Sequence, residues 1–404
     1  MVHTLLNNLK EEILLTISNY KKMNTFLSEN NNLVQNKKIY LLDPALSVKG
    51  GHNLDNVCKI ANQFLKYGYN VSVLSNKNIR EKDIIIQLEN QNIQVLPTFQ
   101  VSPYDPQLTD DNLNNYLKAL ATTLKDLEEF KKNNSYSILS IWLKSTSIIH
   151  MIANLLSKFS EKNIFLCGLD PRNFNNSSIK LYKHFSNLFF EKDHVNYLVS
   201  DHYTEKVIKS FINIKTSRFP DISDSYENKK VDTVRKKSIG IFGVEEFYNQ
   251  EYLNDTINLC TKLNLKVYLQ DKKNILKDKI YIDKKVIFFK FENNIAELFN
   301  KIDFGVYYFN PLRYKLMGSG LVNEAISYGL PIIIPNSNLP NLLTKEYSCE
   351  YSFDWQKKEE LFRNIIFISN NHQLVSKKVF LSSIEWNKRE GVDLLVKKII
   401  ETYL

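Results

Sequence analysis

The run Phe304–Asn336, FGVYYFNPLRYKLMGSGLVNEAISYGLPIIIPN, leaves the chain few ways to fold. GVYYF is a short apolar run of strand type, and PIIIP sets apolar residues between two prolines, the pattern of a strand buried on both faces. Between them, Leu321, Ala325 and Tyr328 share one side of a predicted helix over Leu321–Tyr328. Gly329 follows where a left-handed cap is wanted, and Pro331 prevents continuation. The unit reads as strand, loop, helix, strand.

The loop before that helix holds Arg313, Lys315, Gly318, Ser319 and Gly320. Two glycines around one serine let the backbone approach a ligand closely and turn into the helix. The first N–H groups of a helix lack intrahelical partners, and the helix dipole favours an anion there. A phosphate fits such a place, and Arg313 and Lys315 add positive charge to it. Glu324 lies one turn beyond Gly320, and helical side chains lean toward the N-terminus, so its carboxylate points back at the same ligand. A carboxylate repels phosphate but accepts well from two sugar hydroxyls. Phosphate donors beside a hydroxyl acceptor describe a nucleoside diphosphate with its ribose. The same residues also fit an ordinary β-α-β unit with a capped helix and a surface glutamate.

The 404 residues suffice for two domains, and 43% hydrophobic content allows a sizeable core. Only 11 glycines occur, about half the usual share, so each one carries more meaning. The net charge of +9 suits anionic substrates or an anionic membrane surface. The lysines are scattered and no basic–aromatic motif stands out, so no nucleic-acid partner is expected. Cys58, Cys167, Cys260 and Cys349 are far apart and form no CxxC, as in a reducing compartment. No His, Cys and carboxylate cluster has metal-ligand spacing, and neither a metal nor a cofactor is expected. No apolar run reaches membrane-spanning length and no secretory signal is seen, so the expected location is cytoplasmic.

Five segments are expected. Residues 1–36 form an N-terminal helical extension with Leu5, Leu6, Leu9, Ile13, Leu14 and Ile17 near one face. Residues 37–220 form a first α/β domain opened by the strand Lys38–Asp43. Gly50 and Gly51 then turn into a helix bearing Val57, Ile60, Ala61, Phe64 and Leu65, and Tyr69–Ser75 is the next strand. A glycine turn at a strand's carboxyl end is where open α/β sheets hold ligands. GxGxxG is absent, so this is not the dinucleotide fingerprint. His52 either contacts a substrate or caps the helix. Strands follow at Asp83–Leu88, Ile93–Pro97, Tyr136–Leu143, Asn163–Cys167 and Val195–Ser200, with a polar loop over Ser102–Asn115 and a helix over Asn115–Phe130. Lys144, Ser145 and Thr146 end one strand and are candidates for ligand contact, whereas His150 reads as a packed helix residue. Asp170 ends another strand, either as a base or substrate acceptor or as a turn cap before Pro171. Residues 221–237 read as a linker, 238–384 as a second α/β domain, and 385–404 as a terminal helix.

Two segments together resemble the GT-B glycosyltransferases, most nearly the glycosyltransferase family 4 type (glycosyl transferases group 1). KGGHNLDNVCKIANQFLKYGYNVSVLS is similar to that family's GG turn, first helix and second strand. RYKLMGSGLVNEAISYGLPIIIP is similar to its donor-site signature, and KKSIGIFGVEEF more weakly to the strand opening its second domain. The resemblance implies two Rossmann-like domains with parallel sheets facing a cleft, an acceptor on the first domain and a nucleotide-sugar donor on the second. It also implies a terminal helix that crosses back to the first domain, metal-independent transfer and retention of configuration. By position, Ser319 and Gly320 would meet the diphosphate, Glu324 the ribose, and Gly51 the donor from the opposite wall, with Arg313 and Lys315 as its cations. His52, Lys144 and Asp170 are the candidates for sugar or acceptor contact. The acceptor classes are a glycan, a lipid-linked glycan at the inner membrane face, or a protein. Two departures stand out: Leu316 occupies a position where many members carry an acid, and Glu245-Glu246 lie where many carry a basic pair. They keep open an inactive GT-B-fold binding or assembly subunit. A sugar-nucleotide epimerase lacks a convincing set of acid and base groups.

Overall fold

The computed structural model describes residues 38–47, 52–79, 82–108, 110–134, 139–144, 146–160, 162–166, 175–185, 195–211, 214–224, 226, 235–244, 250–271, 276, 285–289, 295–309, 314, 319–336, 339–347 and 350–404. The expected helix within residues 1–36 lies outside them.

The first domain runs β1 (Lys38–Asp43), α1 (His52–Lys66), β2 (Asn70–Asn76), α2 (Lys82–Glu89), β3 (Gln94–Phe99), a 3₁₀ turn (Pro106–Leu108), α3 (Leu113–Asn133), β4 (Leu139–Trp142), α4 (Ile148–Ser157), β5 (Lys162–Leu166), α5 (Asn176–His184), β6 (Val195–Val199), α6 (His202–Phe211) and β7 (Thr216–Arg218). The second runs β8 (Ser238–Phe242), α7 (Gln250–Lys262), β9 (Lys266–Gln270), β10 (Val286–Phe289), α8 (Ile295–Phe299), β11 (Phe304–Tyr307), α9 (Gly320–Tyr328), β12 (Ile332–Pro335), α10 (Leu339–Glu346), β13 (Glu350–Phe353), α11 (Lys358–Asn370) and α12 (His372–Asn387). The last helix, α13, is Val392–Tyr403.

Both sheets are parallel throughout their described pairs. Their orders are β3-β2-β1-β4-β5-β6-β7 and β10-β9-β8-β11-β12-β13. Each order reverses direction once, between β1 and β4 and between β8 and β11. The crevice outside the carboxyl ends of the strands at such a point is where doubly wound sheets bind ligands. Alternate residues of β1 face opposite layers: Ile39 and Leu41 join one core with Val57, Ile60 and Phe64 of α1, whereas Tyr40 and Leu42 join the core beneath α3 and α4. One core fills the second domain. There Gly240 and Gly305 make room for the stacked rings of Phe242 and Tyr307, 5.0 Å apart.

Several sequence expectations change. Asp83–Leu88 is not a strand but most of α2: Ile84 and Leu88, four apart, are buried, while Ile86 is 54% exposed. A run of three isoleucines favours a strand locally, and packing of one helical face overrides it. The loop over Ser102–Asn115 contains the 3₁₀ turn, and α3 starts inside it, capped by the Asn112 side chain on the Asn114 N–H. The expected terminal helix over 385–404 is broken. α12 ends at Asn387, Gly391 sits at φ 125°, and α13 begins after it. Asp221–Asp224, read as open linker, includes buried Asp221, Ile222 and Ser223.

The chain crosses between domains twice, and the crossings lie side by side. Val392 N–H donates to Ser223 O, and the Trp386 indole N–H to Ser223 Oγ. Beyond the second crossing, Val392, Leu395, Val396 and Ile399 of α13 pack into the α1 core of the first domain.

Candidate functional site

α9 and its N-cap carry three of the sequence-derived site residues. The helix follows β11 at the reversal point of the second sheet. Ser319 is its N-cap, with extended backbone; its carbonyl accepts from the Val322 and Asn323 N–H groups, and its hydroxyl makes no capping bond. Gly320 is the first helical residue. Gly329 ends the helix at φ 75°, donating to the Ala325 and Ile326 carbonyls. Val322, Ala325 and Ile326 belong to the core of the second domain. Asn323, Glu324 and Ser327 instead reach residues of the first crossing.

Glu324 is 7% exposed. Its Oε1 lies 2.5 Å from Lys59 Nζ, a residue of α1 in the first domain. The Asp224 N–H donates to both carboxylate oxygens, at 3.1 and 3.3 Å, and the Tyr226 hydroxyl lies 3.4 Å from Oε2. The Lys59 ammonium is also 2.9 Å from Asp55 Oδ2 and 3.1 Å from Asp224 Oδ2. Burial disfavours the charged lysine, but Glu324, Asp55 and Asp224 outweigh it and hold its pKa well above the usual range. Burial, with Asp224 beside it, lifts Glu324 above the ordinary carboxylate range against the pull of Lys59. Burial thus dominates at Glu324, whereas the three carboxylates around the ammonium dominate at Lys59.

A second cluster lies beneath the crossings. Lys144, just beyond β4 at the reversal point of the first sheet, donates to Asp221 Oδ2 at 2.6 Å. Asp221 is buried, which pushes its pKa up, but Lys144 and hydrogen bonds from Asn323 and Ser200 outweigh this and lower it. The Glu390 carboxylate accepts the Asp221 N–H at 2.8 Å and lies 3.3 Å from Arg218. Burial first, and then the charge of Asp221, push Glu390 up to about 7.

The structure therefore brings Glu324 and Lys144 to the two crossings, each already paired. Gly51, Arg313, Lys315 and Asp170 lie outside the described residues, as does the side chain of His52, whose backbone opens α1. Sequence reasoning missed Lys59, Asp224, Tyr226, Asp221 and Glu390. The Asp55–Lys59 spacing of four was readable as a helix-surface pair. Nothing in the sequence linked it to Glu324, 265 residues away. His150 is a packed residue: buried in α4, it bonds Ser147 Oγ and Val101 O, and burial lowers its pKa to about 4.

No family model matches the chain, and no curated protein matches its sequence. Solved structures do match over nearly the whole length. A glycosyltransferase from Rickettsia africae aligns over 92% of this chain and 98% of its own, at 12% identity and TM-score 0.65. Anabaena Alr3699/HepE, solved with UDP and glucose, aligns over 91% of this chain and 99% of its own, at 14% identity and TM-score 0.64. SnogD of Streptomyces nogalater aligns over 91% and 99%, at 10% identity and TM-score 0.60. With two parallel doubly wound domains and two crossings, the chain has the GT-B fold.

Proposed function

We propose that the chain transfers a sugar from a nucleoside-diphosphate sugar to an acceptor hydroxyl, on the pattern of glycosyltransferase family 4, with retention and without a metal. One observation carries the reading: Glu324 stands one turn into the helix at the reversal point of the second sheet, turned toward the first domain. In this reading Ser319 and Gly320 present N–H groups to the diphosphate, and Glu324 takes the ribose hydroxyls. Gly51, Arg313 and Lys315 complete the phosphate environment. The bond from the sugar's anomeric carbon to the diphosphate oxygen breaks, and a bond to the acceptor oxygen forms. The nucleoside diphosphate departs with the electron pair of the broken bond, and its freed oxygen takes up the proton that the acceptor hydroxyl loses. Preorganised N–H groups and cations stabilise the charge that develops on it. His52, Lys144 and Asp170 are the residues proposed to contact the sugar or the acceptor. The Lys144 ammonium is held by Asp221, so it acts there only by exchanging that partner.

The acceptor is a glycan, a lipid-linked glycan or a protein. The net charge of +9 suits a cytoplasmic protein meeting an anionic membrane face, and no described helix is long and apolar enough to cross a membrane.

A second reading is a non-catalytic GT-B-fold subunit. The occupation of Glu324 by Lys59, the Asp224 N–H and Tyr226 favours it. A panel of nucleoside diphosphates and their sugars decides between the two. The enzyme reading expects at least one to raise the melting temperature and release nucleoside diphosphate with an acceptor, and Glu324→Ala to weaken both effects at least tenfold. No shift with any of them, or the same shift in Glu324→Ala, rejects it.

A further inference from the structure

Resting on the reading of Glu324 as the ribose acceptor, we propose that Lys59 is an internal competitor for that carboxylate, exchanged against the ribose diol when the donor binds. A vicinal diol engages a carboxylate through both oxygens. In this structure Oε1 is taken by the Lys59 ammonium at 2.5 Å, and the Asp224 N–H bridges both oxygens. A diol reaches Oε1 only after the ammonium leaves it.

The surroundings make that departure feasible. The ammonium already touches Asp55 and Asp224, from its own helix and from the crossing segment. Their side chains are 40% and 43% exposed, against 10% for Glu324. Lys59 therefore moves to partly hydrated carboxylates without becoming a buried unpaired charge, the case that costs most. Ribose hydroxyls meanwhile replace the ammonium as donors to Glu324, so the buried carboxylate also stays paired. Asp55 and Asp224 thereby acquire a role as resting places for the displaced cation. The exchange selects for ribose, because a nucleotide without the diol leaves Lys59 in place on Glu324 and gains nothing from that carboxylate.

Two variants move affinity in opposite directions. Lys59→Met removes the competitor. The dissociation constant of the best ribonucleoside diphosphate found in the panel is expected to fall about tenfold, with a change under twofold for its 2′,3′-dideoxy form. Asp55→Asn/Asp224→Asn leaves the ammonium with Glu324 as its remaining anionic partner in the cluster, and is expected to weaken ribonucleotide binding about tenfold. Isothermal titration calorimetry reads both, and the double Asn variant alone decides the matter should Lys59→Met not fold. Equal effects on the ribo and dideoxy forms, or weaker binding in Lys59→Met, overturn the exchange while leaving the donor site standing. Absence of nucleotide binding in the unmodified chain and in both variants overturns the donor reading and the exchange with it.

Discussion

Glu390 gives the sharpest physical prediction. Its carboxylate sits between the two crossings, 3% exposed, facing the Asp221 carboxylate and N–H and the Arg218 guanidinium. Burial is the larger reason for its raised pKa, and the Asp221 charge the next. An unfolded glutamate titrates near 4.5 and this one at about 7, so the folded chain holds the proton more tightly. The resulting stabilisation is complete below pH 4.5 and is lost as pH rises through 7. A displacement of that size is worth about 3 kcal/mol. Glu390→Gln keeps an oxygen for the Asp221 N–H and cannot ionise. Its unfolding free energy relative to the unmodified chain is therefore expected to rise by about 3 kcal/mol between pH 4.5 and pH 8. Urea denaturation of both proteins at the two pH values measures this, and the difference of differences removes every titration the proteins share. A gap that does not change with pH, or one in which the variant falls behind at pH 8, refutes the assignment of a desolvated, Asp221-facing carboxylate.

Two further outcomes test the Lys144–Asp221 pair at the crossings and the cap of α9. Lys144→Met leaves Asp221 buried without its cation and is expected to cost about 3 kcal/mol in denaturant melts. Much of this should be recovered in Lys144→Met/Asp221→Asn, whereas an additive double variant contradicts the pairing. Gly329→Ala places a methyl on a left-handed residue, 3.0 Å from Ser383 Oγ and 3.3 Å from Phe380 Cα of α12. The backbone penalty and the collision together are expected to cost about 2 kcal/mol and lower the melting temperature. An unchanged melting temperature contradicts the cap.

The fold was largely legible because its signals are local. Apolar runs bounded by proline or polar turns marked β1, β11 and β12. The α9 helix, expected over Leu321–Tyr328, starts one residue earlier because Gly320 already has helical backbone. Failures came where local preference and packing disagree, as in α2, or where an element is too short to show a period, as in β7 and β13. The site was legible only as a set of residue types. Ser319, Gly320 and Glu324 stand on one helix, so their spacing already implied a shared location. Lys144 was noticed for its place at a strand end, with no sign that it ends on Asp221.

What the sequence determined alone, then, is the alternation of strand and helix, the stops at Gly329 and Pro331, and the presence of a carboxylate one turn into a phosphate-type helix. These follow from backbone stereochemistry and from side-chain periods of two and 3.6 residues, which act over a few positions. Tertiary structure decided which groups occupy that carboxylate. Lys59, Asp224 and Glu324 belong to a helix, a crossing segment and another helix, and only the folding of two sheets around two adjacent crossings brings them within 3.1 Å of one ammonium. Burial at that meeting point then lifts Glu324 above the ordinary carboxylate range, because the cost of desolvating a charge depends on the whole surrounding volume and on no single stretch of chain.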